Sequence, residues 1–461
     1  MKSSARYRRL LLAAAGALPL CACVSYAPLP LGQGRGADSV AQLSAPVQAI
    51  PGERAATHRF DPADGLDVTE TAMLALANDP QLRLQRDALG MARAQAFAAG
   101  LLPDPQLSLA GETPTSHQPG LTHAFNLGLD YDVGALLTRS ARKAEARGKA
   151  RQANLELLWS EWQTVAQARL LFDEISAARA TQVRLAHEIA ALEPLDRQVQ
   201  AALAAGNLTY AAASAGLDAL SDARRQLAEA GRARAQSEHD LRLLLGLSAQ
   251  APLPLVGPPY RAHPGQAQVD AALAALPERR PDLLALKAGY AAQEAQLRVE
   301  ILRQFPAISL GFTRARDTSD VYTRGLSLGI TLPLFDRNRG NIAVAKATRQ
   351  QLHDDYDARL RTARADARLL QLDLASLDAQ LAALRTHARQ LDTARDAARD
   401  AWQAGQLDWP TYLSIRGNAL AADLALIALE QERAKQAIAL ETLLGGDWDD
   451  RAARPAGAAT S

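Results

Sequence analysis

The sequence of 461 residues is poor in cysteine, in aromatic residues and in net charge. Two cysteines exclude a fold held by a disulfide framework, and eight scattered histidines without a Cys-x-x-Cys pair argue against a structural zinc site. Lysine and arginine (51) nearly balance aspartate and glutamate (50), so the net charge of +1 excludes a basic field that would hold nucleic acid. Aromatic residues make up 5 %, and much of the 48 % hydrophobic content is alanine, which favours closely packed helices.

Signals of enzyme chemistry are weak as well. The sequence has no Walker A and no His-Glu-x-x-His motif. The histidines on the predicted helices are isolated, and adjacent aspartates such as Asp354 and Asp355 do not face each other on a helix. We therefore predict no catalytic residues, no metal site, no cofactor and no enzyme activity.

The N-terminus predicts a lipoprotein leader. A cationic start precedes an apolar run over residues 10–20, which is too short to span a bilayer. The segment Leu20-Cys21-Ala22-Cys23 resembles the bacterial lipobox, and Cys23 fits the lipidated position better than Cys21. The alternatives are a plain signal peptide and a Cys-x-Cys metal pair. Val24 replaces the aspartate that retains lipoproteins in the inner membrane, which favours the outer membrane.

Composition divides the rest of the chain. We expect a signal peptide over 1–22, a lipid-anchored extended tether over 23–66 that is rich in proline, glycine and alanine, and a disordered tail over 447–461. No later run reaches 18 apolar residues, so no transmembrane helix is predicted.

A unit of about 200 residues occurs twice between the tether and the tail. Five landmarks of the first unit return in the second, three at an offset of 201 residues and two at 199, which predicts repeats over 67–264 and 265–446. The landmark pairs are Asp79-Pro80-Gln81-Leu82 with Arg280-Pro281-Asp282-Leu283, Pro105-Gln106-Leu107-Ser108-Leu109 with Pro306-Ala307-Ile308-Ser309-Leu310, Leu127-Gly128-Leu129 with Leu328-Gly329-Ile330, Ala205-Gly206-Asn207-Leu208 with Ala404-Gly405-Gln406-Leu407, and Leu244-Leu245-Gly246 with Leu443-Leu444-Gly445.

Each unit predicts two strands and a long helical hairpin. The strands, at about 105–133 and 306–334, alternate large apolar residues with small or polar ones, which is typical of a barrel strand between lipid and water. A soluble hairpin with one buried face is the alternative. The helices carry heptads rich in leucine and alanine, which predict a coiled coil. The expected hairpin tips are 206–209 and 405–408, and a single helix is expected from Thr69 to Leu102.

Four strands cannot close a barrel, since the smallest membrane barrels have about eight strands and open edges are costly in lipid. The predicted fold is therefore mostly α with a transmembrane β-barrel portion. Three copies would share a 12-stranded β-barrel that stands on an α-helical barrel.

The repeated motifs resemble those of the TolC-type outer-membrane efflux proteins. The resemblance covers about residues 66–446. It rests on Asp79-Pro80-Gln81-Leu82, Gly100-Leu101-Leu102-Pro103-Asp104-Pro105, Arg280-Pro281-Asp282-Leu283 and Phe305-Pro306-Ala307-Ile308-Ser309-Leu310. The segment Leu332-Pro333-Leu334-Phe335-Asp336-Arg337-Asn338-Arg339-Gly340 is similar to the variant of the CzcC-like branch, which is associated with the export of heavy-metal ions.

The resemblance implies a homotrimeric exit duct in the outer membrane that docks a periplasmic adaptor and an inner-membrane pump of the RND type. It implies adaptor contact and resting closure at the two tips, which comprise Gly206, Asn207, Leu208, Thr209, Gly405, Gln406, Leu407 and Asp408. Family members often carry an acidic residue six positions after the tip glycine, where this chain has Ala212 and Thr411. Asp400 and Asp408 could instead supply charge at the aperture.

These observations predict a passive efflux duct with heavy-metal cations as the favoured cargo. The alternatives are a duct for drugs or other small molecules, a type I secretion duct, and a structural coiled-coil lipoprotein of the periplasm. The sequence leaves open the exported substrate, the identity of the pump and adaptor, and the residues that close the aperture.

Overall fold

The computed structural model describes residues 26–32, 34–43, 60–61, 64–115, 120–207, 209–261 and 265–445. The predicted signal peptide, Cys23 and the predicted tail lie outside the described residues. The chain divides into two units after Gly36. Of the first unit, the structure describes residues 26–32 and 34–36, and these residues contain no helix or strand.

The compact unit that begins at Ala37 contains the same order of strands and long helices twice, as the sequence repeat predicts. The first copy comprises α1 (Val68–Asn78), α2 (Pro80–Ala98), β1 (Gln106–Glu112), β2 (Ala124–Asp132), α3 (Gly134–Ala204) and α4 (Tyr210–Leu244). The second comprises α5 (Gln266–Ala274), α6 (Leu276–Arg279), α7 (Pro281–Leu302), β3 (Ala307–Arg316), β4 (Tyr322–Thr331), α8 (Arg339–Gln403) and α9 (Trp409–Leu444). With 71 and 65 residues, α3 and α8 extend about 105 Å and about 100 Å at 1.5 Å per residue.

The single helix expected from Thr69 to Leu102 is wrong, because α1 ends at Asn78 and α2 begins at Pro80. Pro80 has no N–H to continue the ladder of α1 and instead occupies the first turn of α2. The Asp79 side chain accepts a hydrogen bond from Gln81 N (2.9 Å) and caps the new helix.

The four strands form one antiparallel sheet in the order β1-β2-β3-β4. The two repeats meet where β2 pairs with β3, with Leu129 opposite Phe312. β1 and β4 lie at the two edges, and neither has a second strand neighbour among the described residues. The sheet is therefore open on both sides within one copy of the chain.

The register separates the side chains of the sheet into two faces. We define the apolar face as the one that carries Leu107, Leu109, Phe125, Leu129, Leu310, Phe312, Leu326, Leu328 and Ile330, which are all solvent-exposed in the protomer. The opposite, small-residue face is crowded: a Cβ on Gly311 would lie 2.3 Å from Ser327 Oγ and 2.4 Å from Asp130 Oδ1. A sheet with this asymmetry can curve toward its small-residue face.

The predicted tether is not extended throughout. Within it, Ala37 bridges Leu247 in parallel, Val40 is buried in a short 3₁₀ turn, and Leu66 is fully buried beside Leu255. These residues pack into a hydrophobic core with α1 and the middle of α3. Burial of these apolar side chains fixes the segment to the base of the first hairpin.

By length and composition alone, α9 could cross a membrane, and it is the one such helix among the described residues. The expectation that no transmembrane helix follows the leader was based on a different criterion. The earlier criterion required an unbroken apolar run, whereas α9 is rich in alanine and leucine with few charges interspersed. One helix of this kind is weak evidence for a membrane span.

Candidate functional site

The first hairpin turn ends α3 with a left-handed glycine. Gly206 has φ +69°, and Asn207 N donates to the Ala202 carbonyl at 2.8 Å, which is the pattern of a Schellman motif. Leu208 lies outside the described residues. The carbonyl of Thr209 accepts a hydrogen bond from Ala213 N at 3.0 Å as α4 begins.

The second hairpin turn has the same backbone and a stronger start to its returning helix. Gly405 has φ +72°, and Gln406 N donates to the Ala401 carbonyl at 2.8 Å. Asp408 caps α9: its carboxylate accepts hydrogen bonds from Thr411 N (2.8 Å) and from the Thr411 hydroxyl (3.0 Å). These hydrogen bonds lower the pKa of Asp408 below its usual range, so the side chain remains ionised at neutral pH.

Three aromatic side chains next to the second turn form what we call the tip cluster: Trp402, Trp409 and Tyr412. The rings of Trp402 and Tyr412 are stacked with centroids 5.1 Å apart, and Trp409 lies 5.4 Å from Trp402. The cluster packs against the first hairpin, where a Cβ on Gly216 would lie 3.1 Å from the Trp409 ring. None of these three residues was predicted from the sequence as a site residue.

Two ion pairs join the same parts of the two hairpins. Arg416 on α9 binds Glu188 on α3 through two hydrogen bonds, Nε–Oε1 at 2.5 Å and Nη2–Oε2 at 2.9 Å, and both side chains are 11 % exposed. Arg184 on α3 pairs with Asp423 on α9. Burial lowers the pKa of Arg416, but the hydrogen bond and charge of Glu188 outweigh it and raise the pKa. Because 228 residues separate Arg416 from Glu188, no local pattern could reveal the pair.

The two carboxylates considered for the aperture have partners in the structure. Asp400 is exposed and accepts hydrogen bonds from its neighbour Arg399 at 3.1 Å. Asp408 is occupied by capping α9. Local hydrogen bonds fix both side chains, but their negative charges can still act on ions at longer distances.

Buried charges also occur at the base of the hairpins, far along the helices from the turns. Glu441 on α9 accepts hydrogen bonds from Arg169 and from the Tyr260 hydroxyl, both at 2.8 Å. Asp173 on α3 is 3 % exposed and pairs with Arg261 at 3.1 Å. Burial raises the pKa of Asp173 to about 6, against the opposing charge of Arg261.

Nothing in the described residues points to enzyme chemistry. No group of three or more His, Cys, Asp or Glu side chains that could hold a metal ion occurs among them. Gly325-Leu326-Ser327-Leu328-Gly329 matches the spacing of a hydrolase nucleophile elbow, Gly-x-Ser-x-Gly. The segment lies inside β4, however, and not at the strand-to-helix turn that such a serine requires.

Residues 272–446 match the family described as "Outer membrane efflux protein". OprJ, an outer membrane protein of Pseudomonas aeruginosa, is 28 % identical over 356 residues, covering 74 % of this chain and 72 % of OprJ. The pyoverdine export outer membrane protein OpmQ of Pseudomonas aeruginosa is 28 % identical, and the cation efflux system protein CusC of Escherichia coli is 27 % identical. Both of these matches cover 37 % of this chain and less than two fifths of the relative.

Solved structures share the fold at low sequence identity. A membrane protein from Pseudomonas aeruginosa superposes with a TM-score of 0.71 at 22 % identity, covering 83 % of this chain and 91 % of that one. CusC superposes with a TM-score of 0.70 at 20 % identity, covering 85 % and 96 %. VceC from Vibrio cholerae gives 0.69 at 18 % identity, covering 83 % and 97 %. The long hairpins and the four-stranded sheet are therefore the fold of outer-membrane channels.

Proposed function

We propose that this chain is a TolC-type outer-membrane efflux protein and that three copies of it form one export channel through the outer membrane, because residues 272–446 match the outer membrane efflux protein family and the fold agrees with it. Its relatives are outer-membrane channel proteins of efflux systems, so the chain is not an enzyme. The proposed channel is passive, and an inner-membrane pump would drive export.

The open edges of the sheet are the main observation that supports a channel of three copies. β1 and β4 each present an unpaired row of backbone N–H and C=O groups in the protomer. Each such group costs several kcal/mol in lipid, so a membrane-spanning sheet must close on itself. Pairing of β4 with β1 of the next copy closes the barrel without a new strand, and three copies give twelve strands.

The two faces of the sheet support the same arrangement. The apolar face exposes leucine, isoleucine and phenylalanine side chains that would contact lipid. The small-residue face carries Glu112, Asp130 and Asp132 and would line the lumen. Successive residues along each strand point to opposite faces, so apolar and small or polar residues alternate in the sequence.

We propose that the hairpin tips extend into the periplasm and bind an adaptor, which links the channel to an inner-membrane pump of the RND type. The proposed contact residues are those of the two turns, Gly206 to Thr209 and Gly405 to Asp408. In the resting channel the second hairpin is held by the tip cluster and by the Arg416–Glu188 pair. Opening would move the second tip outward and break these contacts.

We propose that residues 1–22 are removed and that Cys23 is acylated, so that the chain is also anchored to the outer membrane by lipid. Each buried CH₂ of an acyl chain contributes about 0.8 kcal/mol to this anchoring. Replacing Cys23 with serine should abolish incorporation of labelled palmitate. Labelling that persists in the serine variant would assign the acyl group to another residue, with Cys21 the next to test.

For cargo we favour heavy-metal cations, on the basis of the CzcC-like segment over 332–340 and the similarity to a cation efflux protein. Export of a small organic molecule is the second candidate, because another relative is named for pyoverdine export. Deletion of the gene should sensitise cells to metal salts such as those of zinc, cobalt or copper. Sensitisation to organic toxicants alone would favour the second candidate.

Single-channel conductance of the purified protein in planar bilayers tests the proposed function. Gly311→Leu should abolish the conducting species, because its side chain would clash with Ser327 and Asp130. Gly111→Leu is the matched control: it lies on the apolar face, where a Cβ meets nothing within 4 Å, and it should conduct like the wild type. A wild-type protein that never conducts, even with its adaptor, would refute the proposal.

A further inference from the structure

The apolar face of the sheet ends in an arginine patch. In the register, Arg314 and Arg316 on β3 and Arg324 on β4 fall on the same face as Leu310, Phe312, Leu326 and Leu328. All three arginines lie at the end of the strands farthest from the helices, close to the β3–β4 turn. A charged residue on a lipid-facing surface is costly unless it reaches the interface.

Arg314 and Arg324 lie directly opposite each other in the register. Directly opposed side chains on one face have Cβ atoms about 4.5–5.5 Å apart, and like charges at that distance are unfavourable. Both side chains are exposed, and neither has a hydrogen-bond or ion-pair partner among the residues that the structure describes. The sheet therefore places two exposed arginines without such a partner at directly opposed positions on one face.

Arg316 differs from these two arginines, because its guanidinium has hydrogen-bond and ion-pair partners within the protein. Its guanidinium donates to the His123 carbonyl and to the Tyr322 hydroxyl, and Asp320 lies 3.5 Å away. It also lies 5.9 Å from the Phe125 ring centroid and 5.8 Å from that of Tyr322. Aromatic side chains at this level are typical of the membrane–water interface.

The height of the patch agrees with this position. From Thr331, the last residue of β4, to Arg324 is seven residues, or about 23 Å along the strand and about 18 Å along the membrane normal at a strand tilt of about 40°. The apolar band of an outer-membrane barrel is about 25 Å tall. The backbone of Arg324, and of Arg314 opposite it, would thus lie below the outer boundary of that band, and their long side chains would extend to the interface.

We propose that Arg314 and Arg324 together bind a phosphate group of a lipid in the outer leaflet. Each guanidinium presents a planar fork of donors that matches a phosphate, and an anion between two forks removes the repulsion between them. The exposed side chains of Phe312 and Leu326 next to the pair would contact the acyl chains, which favours a lipid over free phosphate. This inference rests on the proposed channel, which sets the side of the membrane that the patch faces.

The test uses the purified full-length protein in neutral detergent, with lipid A as the probe and native mass spectrometry as the readout. The wild type should retain lipid A, and the Arg314→Gln/Arg324→Gln double variant should bind it at least about tenfold more weakly. Arg361→Gln, an exposed arginine on α8, is the control and should leave retention unchanged. Lipid A without its phosphates should bind no better to the wild type than to the double variant.

Equal retention of lipid A by the wild type and the double variant would overturn the proposal. Wild-type protein that retains dephosphorylated lipid A as well as it retains lipid A would also overturn it. Displacement of lipid A by millimolar inorganic phosphate would also overturn it, because the site would then not be specific for lipid. Conductance of the same samples separates the two proposals. A double variant that conducts normally but loses lipid A supports this inference, whereas a wild type that never conducts refutes the channel itself.

Discussion

The two hairpin turns have the same backbone but different surroundings. Each ends its outgoing helix with a left-handed glycine, Gly206 or Gly405, and a bond from the next residue back to the helix. Only the second turn is flanked by the tip cluster and followed by Arg416, which contact the first hairpin. By contrast, Tyr210, at the start of α4, is 81 % exposed. A duplicated turn has thus acquired, in its second copy, the contacts that hold the hairpins together.

This difference suggests which hairpin would move in the proposed channel. The first hairpin provides the Glu188 carboxylate and the open space beside Gly216. The second hairpin provides Arg416, which binds Glu188, and Trp409, which packs against Gly216. Release of a few side chains on α9 would free the second tip without unfolding either helix.

Removal of the largest contact should have the largest effect. Trp409→Ala removes a side chain that is 8 % exposed, at a cost of about 4 kcal/mol to the packing between the hairpins. We expect a larger single-channel conductance and faster proteolysis near the second turn. Trp409→Phe is the control, because it keeps an aromatic ring in the tip cluster and should remain closed. Equal conductance of the wild type and the alanine variant would contradict the role of the cluster.

Breaking the buried ion pair should have a similar or slightly smaller effect. Arg416→Leu leaves the Glu188 carboxylate without its partner, which costs about 3 kcal/mol or more for a buried pair. We expect a more open channel by conductance, and partial rescue by the added change Glu188→Leu. Arg225→Ala breaks an exposed pair with Asp222 and should leave conductance unchanged. An Arg416 variant indistinguishable from this control would show that the pair does not hold the hairpin.

The contribution of Asp173, at the base of the hairpins, to stability should change with pH in the opposite direction to that of Asp408, at the second tip. The pKa of Asp173 is raised to about 6, so the folded state binds this proton more tightly, and stability falls as pH rises from about 4 to about 6. The effect is at most about 3 kcal/mol. The pKa of Asp408 is lowered, so its contribution is present at neutral pH and is lost as the pH falls.

Thermal unfolding of wild type and Asp173→Asn across this pH range provides the measurement. The difference between their melting temperatures should shift in favour of the variant as pH rises, because the asparagine never ionises. Other groups titrate equally in both proteins and cancel in the difference. A difference that is constant with pH would contradict the raised pKa.

The smallest predicted effect concerns Asp408, whose role as the helix cap of α9 can be tested separately from its negative charge. Asp408→Ala should reduce the hydrogen-exchange protection of the first turn of α9, since Thr411 N loses its acceptor. Asp408→Asn should keep that protection, because asparagine caps helices about as well. If the asparagine variant also keeps the cation selectivity of the channel, the carboxylate does not act as an aperture charge.

The sequence is sufficient to predict the repeat, the four strands, the long helices and both turns, because each has a local signal. Alternation at a period of two identifies the strands, and glycine at the end of a heptad run identifies the turns. The break between α1 and α2 was missed, although Asp79-Pro80 carries the capping signal for it. The Arg416–Glu188 pair and the opposition of Arg314 and Arg324 depend on packing and register, which no short segment reveals.

The number of copies in the assembly tests the account most directly, because one chain supplies four strands with two open edges. We predict that native mass spectrometry of the complex extracted from outer membranes gives a mass of three chains. The β1 and β4 edges should also be protected from hydrogen exchange in that complex. A folded single chain in the membrane, with both edges exchanging freely, would contradict the account.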